Sequence, residues 1–257
     1  MRYEILGPLR VVDADGSGST IGAQKVEFLL ALLLVRADQV VALDQIIAEI
    51  WGENVPRRAT AGIHVYVSQL RKFLSRPSRP GSPIVTRPPG YVLCLGSDEL
   101  DFHSFQRLAG LGRDHAREGR PEEAAACFHS ALALWRGPVL SDPPGSPIVG
   151  GFVTWLTEAR LECIETLVDA QLQLGRHREC VGRLYSLANE YPLRETFYRQ
   201  LMLALYRSER QADALNVYQS ARKILNNELG LEPCRALQDL QRAILAADVQ
   251  LYARLAV

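Results

Sequence analysis

The sequence lacks the features that mark membrane, secreted and metal-binding proteins. Its longest unbroken apolar run, Phe28 to Val35, is far shorter than the roughly 20 residues that a membrane-spanning helix needs. The five cysteines are scattered, with no C-x-x-C pair and no histidine at ligand spacing, which argues against a disulfide framework and a zinc site. The first residues lack the basic start and apolar centre of a signal peptide. These absences predict a cytoplasmic protein without a membrane span.

Motifs of the common enzyme classes are also missing. The chain has no phosphate-binding G-x-x-x-x-G-K-[ST] loop, no complete G-x-G-x-x-G, no G-x-S-x-G and no H-E-x-x-H. A paired-carboxylate site would have to come from Glu122 and Glu123 or from Asp142, which have the positions of a helix start and a loop. We therefore predict a protein that is not an enzyme and that holds no cofactor and no metal ion.

Acidic residues are missing from one long window near the start of the chain. The whole chain is neutral, with 29 basic and 29 acidic side chains, yet no carboxylate occurs between Glu53 and Asp98. The same window holds seven basic residues: Arg57, Arg58, Arg71, Lys72, Arg76, Arg79 and Arg87. Such a cluster indicates a polyanion partner, although a run of charge alone is also compatible with a simple solvated face.

Hydrophobic periodicity predicts short strands followed by three helices and a hairpin. Tyr3, Ile5, Leu9 and Val11 alternate with polar neighbours, as residues of strands do. Apolar residues then recur at three and four positions, which predicts amphipathic helices at Gln24 to Val35, Leu43 to Trp51 and about Arg57 to Leu74. After a loop from Arg76 to Pro83, two apolar runs flank an arginine-bearing turn and predict a hairpin: Ile84 to Thr86 and Tyr91 to Leu95.

The third predicted helix has a small, polar and basic outward face. Its apolar stripe is Ala59, Ile63, Val67, Leu70 and Leu74, and no acidic residue occurs anywhere along it. A helix of this kind can enter the major groove of DNA, while a hairpin tip that carries Arg87 can reach phosphates or the adjacent minor groove. The order of elements therefore predicts a winged helix-turn-helix that binds double-stranded DNA.

Eleven residues are candidates for contacts with DNA. Lys25 lies near the start of the first helix, where helix N-termini favour phosphates. Glutamine can pair with adenine, and an apolar side chain can meet a thymine methyl group. We predict phosphate contacts for Arg57, Arg58, Ser68, Arg71 and Lys72, places near base edges for Ala61, His64, Val65 and Gln69, and a contact from the wing for Arg87. For Arg87 the alternative is a solvated turn arginine.

From Asp98 onward the periodicity is helical and contains internal repeats. Three segments align: Gly119 to Ala131, Gly175 to Leu187 and Glu209 to Ala221. The last two begin 34 residues apart, which is the tetratricopeptide period. A Pro/Gly-rich insertion from Arg136 to Pro147 separates the first two, and Leu237 to Leu251 is predicted to be an end helix. The concave surface of such a domain suggests a protein or peptide partner, although helical repeats also serve as a plain scaffold.

These patterns predict a mainly α protein with two domains. Residues 1–97 are expected to form an α+β winged helix-turn-helix domain, and residues 98–257 an all-α, tetratricopeptide-like helical repeat domain. Because the two halves carry different periodicities, we place the boundary where strand-like alternation ends and continuous helical spacing begins.

Several stretches, in this order, resemble the Streptomyces antibiotic regulatory protein family. They are Gly22 to Leu34, Trp51-Gly52, Val65 to Arg71, Thr86 to Tyr91, Leu134 to Gly137, Gln200 to Tyr206 and Glu228 to Pro233. The resemblance covers nearly the whole chain. Two departures are Ala42, where the family usually has a hydroxyl cap, and the proline-rich insertion around Pro143 and Pro144, which is stiffer than is usual in the family.

The resemblance implies an OmpR-type winged helix joined to a tetratricopeptide-like bacterial transcriptional activation domain. It further implies an activator of an antibiotic or other secondary-metabolite gene cluster, located in the cytoplasm at the nucleoid. Such a protein would bind promoter direct repeats, pair head-to-tail on DNA and recruit RNA polymerase holoenzyme with its sigma factor. Two alternatives stay open from the residues alone: a repressor with the same fold, and an adaptor whose winged helix binds protein.

Overall fold

A computed structural model of the chain describes residues 1–76, 81–140 and 146–248. The strands are β1 (Arg2–Glu4), β2 (Arg10–Val12), β3 (Gly18–Ser19), β4 (Val41–Ala42), β5 (Ile84–Arg87), β6 (Gly90–Leu93) and β7 (Glu99–Leu100). The helices are α1 (Gln24–Val35), α2 (Leu43–Trp51), α3 (Ala59–Phe73), α4 (Asp101–Arg117), α5 (Pro121–Leu132), α6 (Pro147–Gln173), α7 (His177–Glu190), α8 (Glu195–Arg207), α9 (Gln211–Leu229) and α10 (Arg235–Leu245).

The chain divides into two compact units. Unit 1 comprises Met1–Arg107 and Ala131–Arg160, and unit 2 comprises Leu108–Ser130 and Leu161–Val257. No disulfide joins any of the five cysteines, all of which lie among the described residues. Within the described ranges, no helix is long and apolar enough to cross a membrane, and no group of three or more His, Cys, Asp or Glu side chains could hold a metal ion.

Unit 1 is built around α1, whose leucine run is buried on nearly all sides. One sheet has the strand order β3-β2-β1-β7, in which Tyr3 on β1 faces Val11 across an antiparallel pair and Leu100 across a parallel pair. The other sheet has the order β4-β6-β5 and contains the hairpin. Helices α2 and α3 pack on α1 and complete a winged helix-turn-helix.

The segment Ala131–Arg160 belongs to the same core as the winged helix. Leu140 and Val149 are buried in the hydrophobic cluster that contains α1. The backbone N–H of Arg136 donates to the carbonyl oxygen of Leu6 at 2.8 Å, and its Nε lies 3.1 Å from a carboxylate oxygen of Glu4. Residues far apart in sequence therefore stabilise one fold, and burial of the two apolar side chains contributes roughly 1.5–3 kcal/mol each.

A buried carboxylate on α2 caps the start of α6. The Glu49 side chain is 4% exposed and accepts hydrogen bonds from the backbone N–H groups of Ile148, at 2.7 Å, and Val149, at 3.3 Å. The hydroxyl of Ser146 donates to the same carboxylate. Since the first N–H groups of a helix have no partner within the helix, and the N-terminus favours negative charge, this contact anchors α6 to the winged helix.

In unit 2, α8 packs against α7 and α9, and α10 packs against α8 and α9. The three predicted repeats coincide with α5, α7 and α9, and their matched residues are all buried: Ala124, Cys180 and Ala214; Phe128, Leu184 and Tyr218; Ala131, Leu187 and Ala221. Two residues before each helix, the backbone is left-handed, with φ of 70° at Gly119, 76° at Gly175 and 65° at Glu209. The repeats therefore share one turn geometry, although the third uses glutamate.

The fold class predicted from the sequence is confirmed: an α+β winged helix comes first, and the later chain is helical. Helices α1 and α2 have the predicted bounds, while α3 begins at Ala59 because Arg58 is its N-cap, with non-helical φ and ψ. The predicted end helix is shorter, since it stops at Leu245 and Ala247 has a φ of 50°. Three predicted segments lie partly outside the described residues, at positions 77–80, 141–145 and 249–251.

Candidate nucleic-acid interface

Helix α3 turns the predicted face toward solvent. Its buried stripe holds Ile63, Val67 and Leu70, each at most 2% exposed. What we call the outward face consists of six exposed side chains: Ala61, His64, Val65, Ser68, Gln69 and Lys72. Val65 is 53% exposed. A face with one projecting apolar group among polar and basic ones suits the floor of the major groove, where a thymine methyl lies beside donors and acceptors.

Two arginines stand at the end of α3 where positive charge is least favourable. Arg57 and Arg58 precede the helix, both are exposed, and the first turn contains no acidic residue. The helix macrodipole is positive at this end, so basic side chains here cost a few tenths of a kcal/mol unless an anion is bound. Neither arginine forms an ion pair with any described residue. The arrangement therefore favours a phosphate at the N-terminus of α3.

Lys25 is connected to α3 through two aromatic rings. Its Nζ lies 4.9 Å from the ring centroid of Trp51, at the end of α2, and the Trp51 ring stacks on Tyr66 of α3 at a centroid distance of 6.1 Å. The lysine remains exposed at the second position of α1. The cation–π contact restricts the position of the ammonium group and holds its positive charge beside α3. Both rings are half-buried and pack against the hydrophobic core of unit 1.

The hairpin that we call the wing, β5 and β6, carries Arg87 at the end of its first strand. Thr86 pairs with Tyr91 and Arg87 with Gly90 across the antiparallel ladder. The wing is held to the rest of unit 1 by β4, which pairs Val41 with Tyr91. The Arg87 side chain is exposed and forms no ion pair with any described residue, so its charge is available to a ligand.

Arg71 differs from the other ten candidates in its surroundings. It is half-buried, and its Nε donates to the carbonyl oxygen of Ile84 at 3.0 Å while its Nη2 donates to Oγ1 of Thr86 at 2.8 Å. Its guanidinium carbon lies 6.0 Å from the ring centroid of Tyr91. The sequence predicts a phosphate contact for Arg71, but the described contacts of this side chain are with the wing.

The other basic residues of the acid-free window have different environments. Arg76 forms an ion pair with Asp13 at 2.7 Å, so its charge is partly neutralised within unit 1. Arg79 lies outside the described residues. Arg57, Arg58, Lys72 and Arg87 remain as exposed positive charges. The basic surface is thus concentrated at the two ends of α3 and at the tip of the wing.

Two family models match this chain. Residues 20–93 match the model described as "Transcriptional regulatory protein, C terminal", and residues 100–245 match the model described as "Bacterial transcriptional activator domain". The first range contains all eleven candidate contacts. The second covers more than half of the chain.

The chain is also similar to several regulators over almost its full length. It is 35% identical to the regulatory protein DnrI of Streptomyces peucetius over 96% of this chain and 93% of that protein. It is 39% identical to the regulatory protein AfsR of Streptomyces coelicolor over 96% of this chain, but it spans only 24% of AfsR. A solved structure of Mycobacterium tuberculosis EmbR, in complex with a low affinity phosphopeptide, has a TM-score of 0.89 and 32% identity, covering 99% of this chain and 68% of that chain.

Proposed function

The chain belongs to the Streptomyces antibiotic regulatory protein family of transcriptional regulators, and from this premise we propose that it activates a secondary-metabolite gene cluster. It is a DNA-binding regulator, not an enzyme. In our proposal it binds direct repeats near a promoter, in the cytoplasm at the nucleoid, and recruits RNA polymerase holoenzyme through contacts that include the sigma factor.

The observation that carries the proposal is the exposed, acid-free outward face of α3 together with the charges that flank it. We assign phosphate contacts to Lys25, Arg57, Arg58, Ser68 and Lys72, because these side chains are exposed and bear donors or positive charge. Places near base edges are assigned to Ala61, His64, Val65 and Gln69 on the middle of the helix. Arg87 reaches DNA from the wing, and the role of Arg71 is argued separately below.

Binding to direct repeats sets the geometry of any protein pair on the DNA. Two copies on repeats of the same orientation are related by a translation and rotation along the duplex, so the contact between them is heterologous. Such a contact need not be stable away from DNA. We propose a monomer or weak dimer in solution that pairs head-to-tail on its site.

A repressor with the same fold is the second candidate. Both would bind the same DNA through α3 and the wing, so DNA binding alone does not separate them. An adaptor whose winged helix binds protein is less well supported, because the outward face has no acidic residue and only one large exposed apolar side chain, Val65. Protein interfaces rely on larger apolar and aromatic clusters.

Run-off transcription tests the proposal directly. The template carries a promoter upstream of biosynthetic genes that neighbour the regulator's own gene, and the reaction contains RNA polymerase holoenzyme from the same organism. An activator raises transcript yield severalfold, and the variant Lys72→Ala with Arg87→Ala removes that rise. Lower yield with the wild-type chain supports the repressor. An unchanged yield on templates that the protein demonstrably occupies refutes recruitment of polymerase.

A further inference from the structure

Arg71 connects the last turn of α3 to the strand that ends in Arg87. Its two hydrogen bonds reach both ends of a short stretch of β5: the backbone of Ile84, where the strand begins, and the side chain of Thr86, directly before Arg87. The Tyr91 ring, on the paired strand β6, forms the third side of this contact. One side chain thus joins the helix to both strands of the wing.

The chemistry of the contact requires arginine. A guanidinium group is planar, and its N–H donors point in fixed directions, so it can satisfy two acceptors at once while its face lies against an aromatic ring. A lysine ammonium group is a compact point charge on a flexible stem and cannot hold both acceptors in the same fixed arrangement. The position therefore favours arginine for its shape as well as for its charge.

Helix and wing must reach the same DNA site together. The helix enters the major groove while the wing tip reaches a phosphate or the adjacent minor groove. A wing that moved freely against α3 would have to be ordered when DNA binds, and that ordering weakens affinity. A wing that is already fixed on α3 presents Arg87 at a constant distance from the outward face. Pre-organisation of this kind increases affinity without adding a contact.

We propose that Arg71 is a positioning residue: it fixes the wing on α3 and acts on DNA through Arg87, not through a phosphate contact of its own. The inference rests on the proposed function and assigns one residue a role within it. It contrasts with the expectation from the sequence, in which Arg71 and Lys72 would both be direct phosphate contacts.

A double-mutant cycle separates positioning from direct contact. Dissociation constants of the full chain are measured by fluorescence anisotropy at several KCl concentrations, on a duplex that the wild type selects from a random library. The variants are Arg71→Ala, Arg87→Ala and the pair, with Lys72→Ala as the matched control in both backgrounds. We expect Arg71→Ala to weaken binding about tenfold in the wild-type background. In the Arg87→Ala background it should add less than about twofold, because its effect passes through Arg87.

The salt dependence gives a second readout that a loss of stability would not produce. Each direct phosphate contact contributes about 0.9 to the slope of log K against log salt. Lys72→Ala should flatten the slope by about that amount in both backgrounds. Arg71→Ala should leave the slope of the Arg87→Ala protein unchanged. The proposal would be overturned if the fold-changes in dissociation constant of Arg71→Ala and Arg87→Ala multiply in the double variant, and if the double variant has a flatter salt slope than Arg87→Ala alone.

Variants of Thr86 keep the test informative if Arg71→Ala fails to fold. Thr86→Val removes the Oγ1 acceptor while keeping the shape of the side chain, and Thr86→Ser restores an acceptor. We expect Thr86→Val to weaken binding only when Arg87 is present, and Thr86→Ser to bind like the wild type. Arg71→Lys, which keeps the charge, should bind as weakly as Arg71→Ala; wild-type affinity for Arg71→Lys would overturn the positioning role. A wild-type chain that selects no sequence would instead overturn the proposed function itself.

Discussion

Gly90 lies so close to Val41 that no side chain fits between them. A Cβ atom built on Gly90 would come within 1.9 Å of the Val41 carbonyl oxygen and 2.8 Å of its carbonyl carbon. This is where β6 pairs with β4, and it joins the wing to the start of α2. The glycine of the Pro88-Pro89-Gly90-Tyr91 stretch is therefore required by close approach of two backbones.

We expect Gly90→Ala to detach the wing from β4 or to prevent folding of unit 1. The clash is with backbone atoms, so rotation of a side chain cannot relieve it, and overpacking of this kind costs at least about 1–3 kcal/mol. Thermal unfolding measures the effect, with Gly22→Ala as the control because no atom lies within 4 Å of the Cβ position there. Equal melting temperatures for the two variants would show that β4 and β6 are not in contact as described.

Removal of the Glu49 carboxylate should loosen the start of α6. Glu49→Ala leaves three donors without a partner in a buried place, and a buried unsatisfied donor costs about 1–3 kcal/mol. We expect lower stability and faster hydrogen exchange at the amides of Ile148 and Val149. The exposed Glu53, just beyond α2, gives the matched control Glu53→Ala, which should leave both unchanged. Slow exchange at these amides in Glu49→Ala would contradict the cap.

The third repeat carries a strained residue where the other two have glycine. Glu209 has a φ of 65° and is exposed, whereas the equivalent Gly175 has a φ of 76°. The left-handed region costs a non-glycine residue about 1–2 kcal/mol. Glycine avoids this cost, but it loses more conformational entropy on folding, which offsets part of the gain. We predict that Glu209→Gly stabilises the protein by about 0.5 kcal/mol and that the reciprocal Gly175→Glu destabilises it by about 1 kcal/mol. Urea denaturation checks the signs, and a loss of stability in both variants would contradict the shared turn geometry.

His177 should make the stability of unit 2 depend on pH. Burial lowers the pKa of His177 below its usual value, and the nearby Arg207 lowers it further. The unfolded chain therefore takes up the proton at a higher pH than the folded chain does. Above about pH 6.5, His177 is mainly neutral in both states and does not lower the free energy of unfolding. As the pH falls from there toward the lowered pKa, protonation of the unfolded chain lowers the free energy of unfolding.

Denaturation midpoints between pH 7.5 and 5.5 test this sign. We expect the wild type to lose stability as the pH falls, and His177→Gln to lose less over the same range. The exposed His103, in unit 1, provides the control variant His103→Gln, which should follow the wild type. A steeper fall for His177→Gln than for the wild type would contradict the lowered pKa.

Strong local patterns in the sequence predicted the helices of the winged helix and the repeats. Helix α1 follows directly from a leucine run with helical spacing, and α2 ends at Trp51 as predicted, with Gly52 as its C-cap. The repeats could be found because the same small residues, such as Ala124 and Ala214, recur where the helices pack closely. In each case the residues that determine the element lie close together in the sequence.

Contacts between distant parts of the chain could not be predicted in this way. Strands β4 and β7 have two residues each, too few to show alternation, and they exist because of partners elsewhere in the sequence. Glu49 caps a helix that begins 98 residues later, and no local pattern marks a glutamate for that task. The outward face of α3 was predictable from its composition. The hydrogen bonds of Arg71 to the wing were not, because they depend on how a hairpin folds back on the helix.

The salt dependence of DNA binding tests the central claim most directly. Electrophoretic shifts are measured at several salt concentrations on DNA upstream of neighbouring biosynthetic genes, for the wild type and for Arg87→Ala. If the five basic contacts assigned to Lys25, Arg57, Arg58, Lys72 and Arg87 form, log K should fall against log salt with a slope of about −4.5, on a specific site from which competitor DNA does not displace the protein. Arg87→Ala should weaken binding and flatten the slope by about one. Equal binding to every duplex, or a slope that Arg87→Ala leaves unchanged, would contradict the assignment of α3 and the wing as the DNA-reading surface.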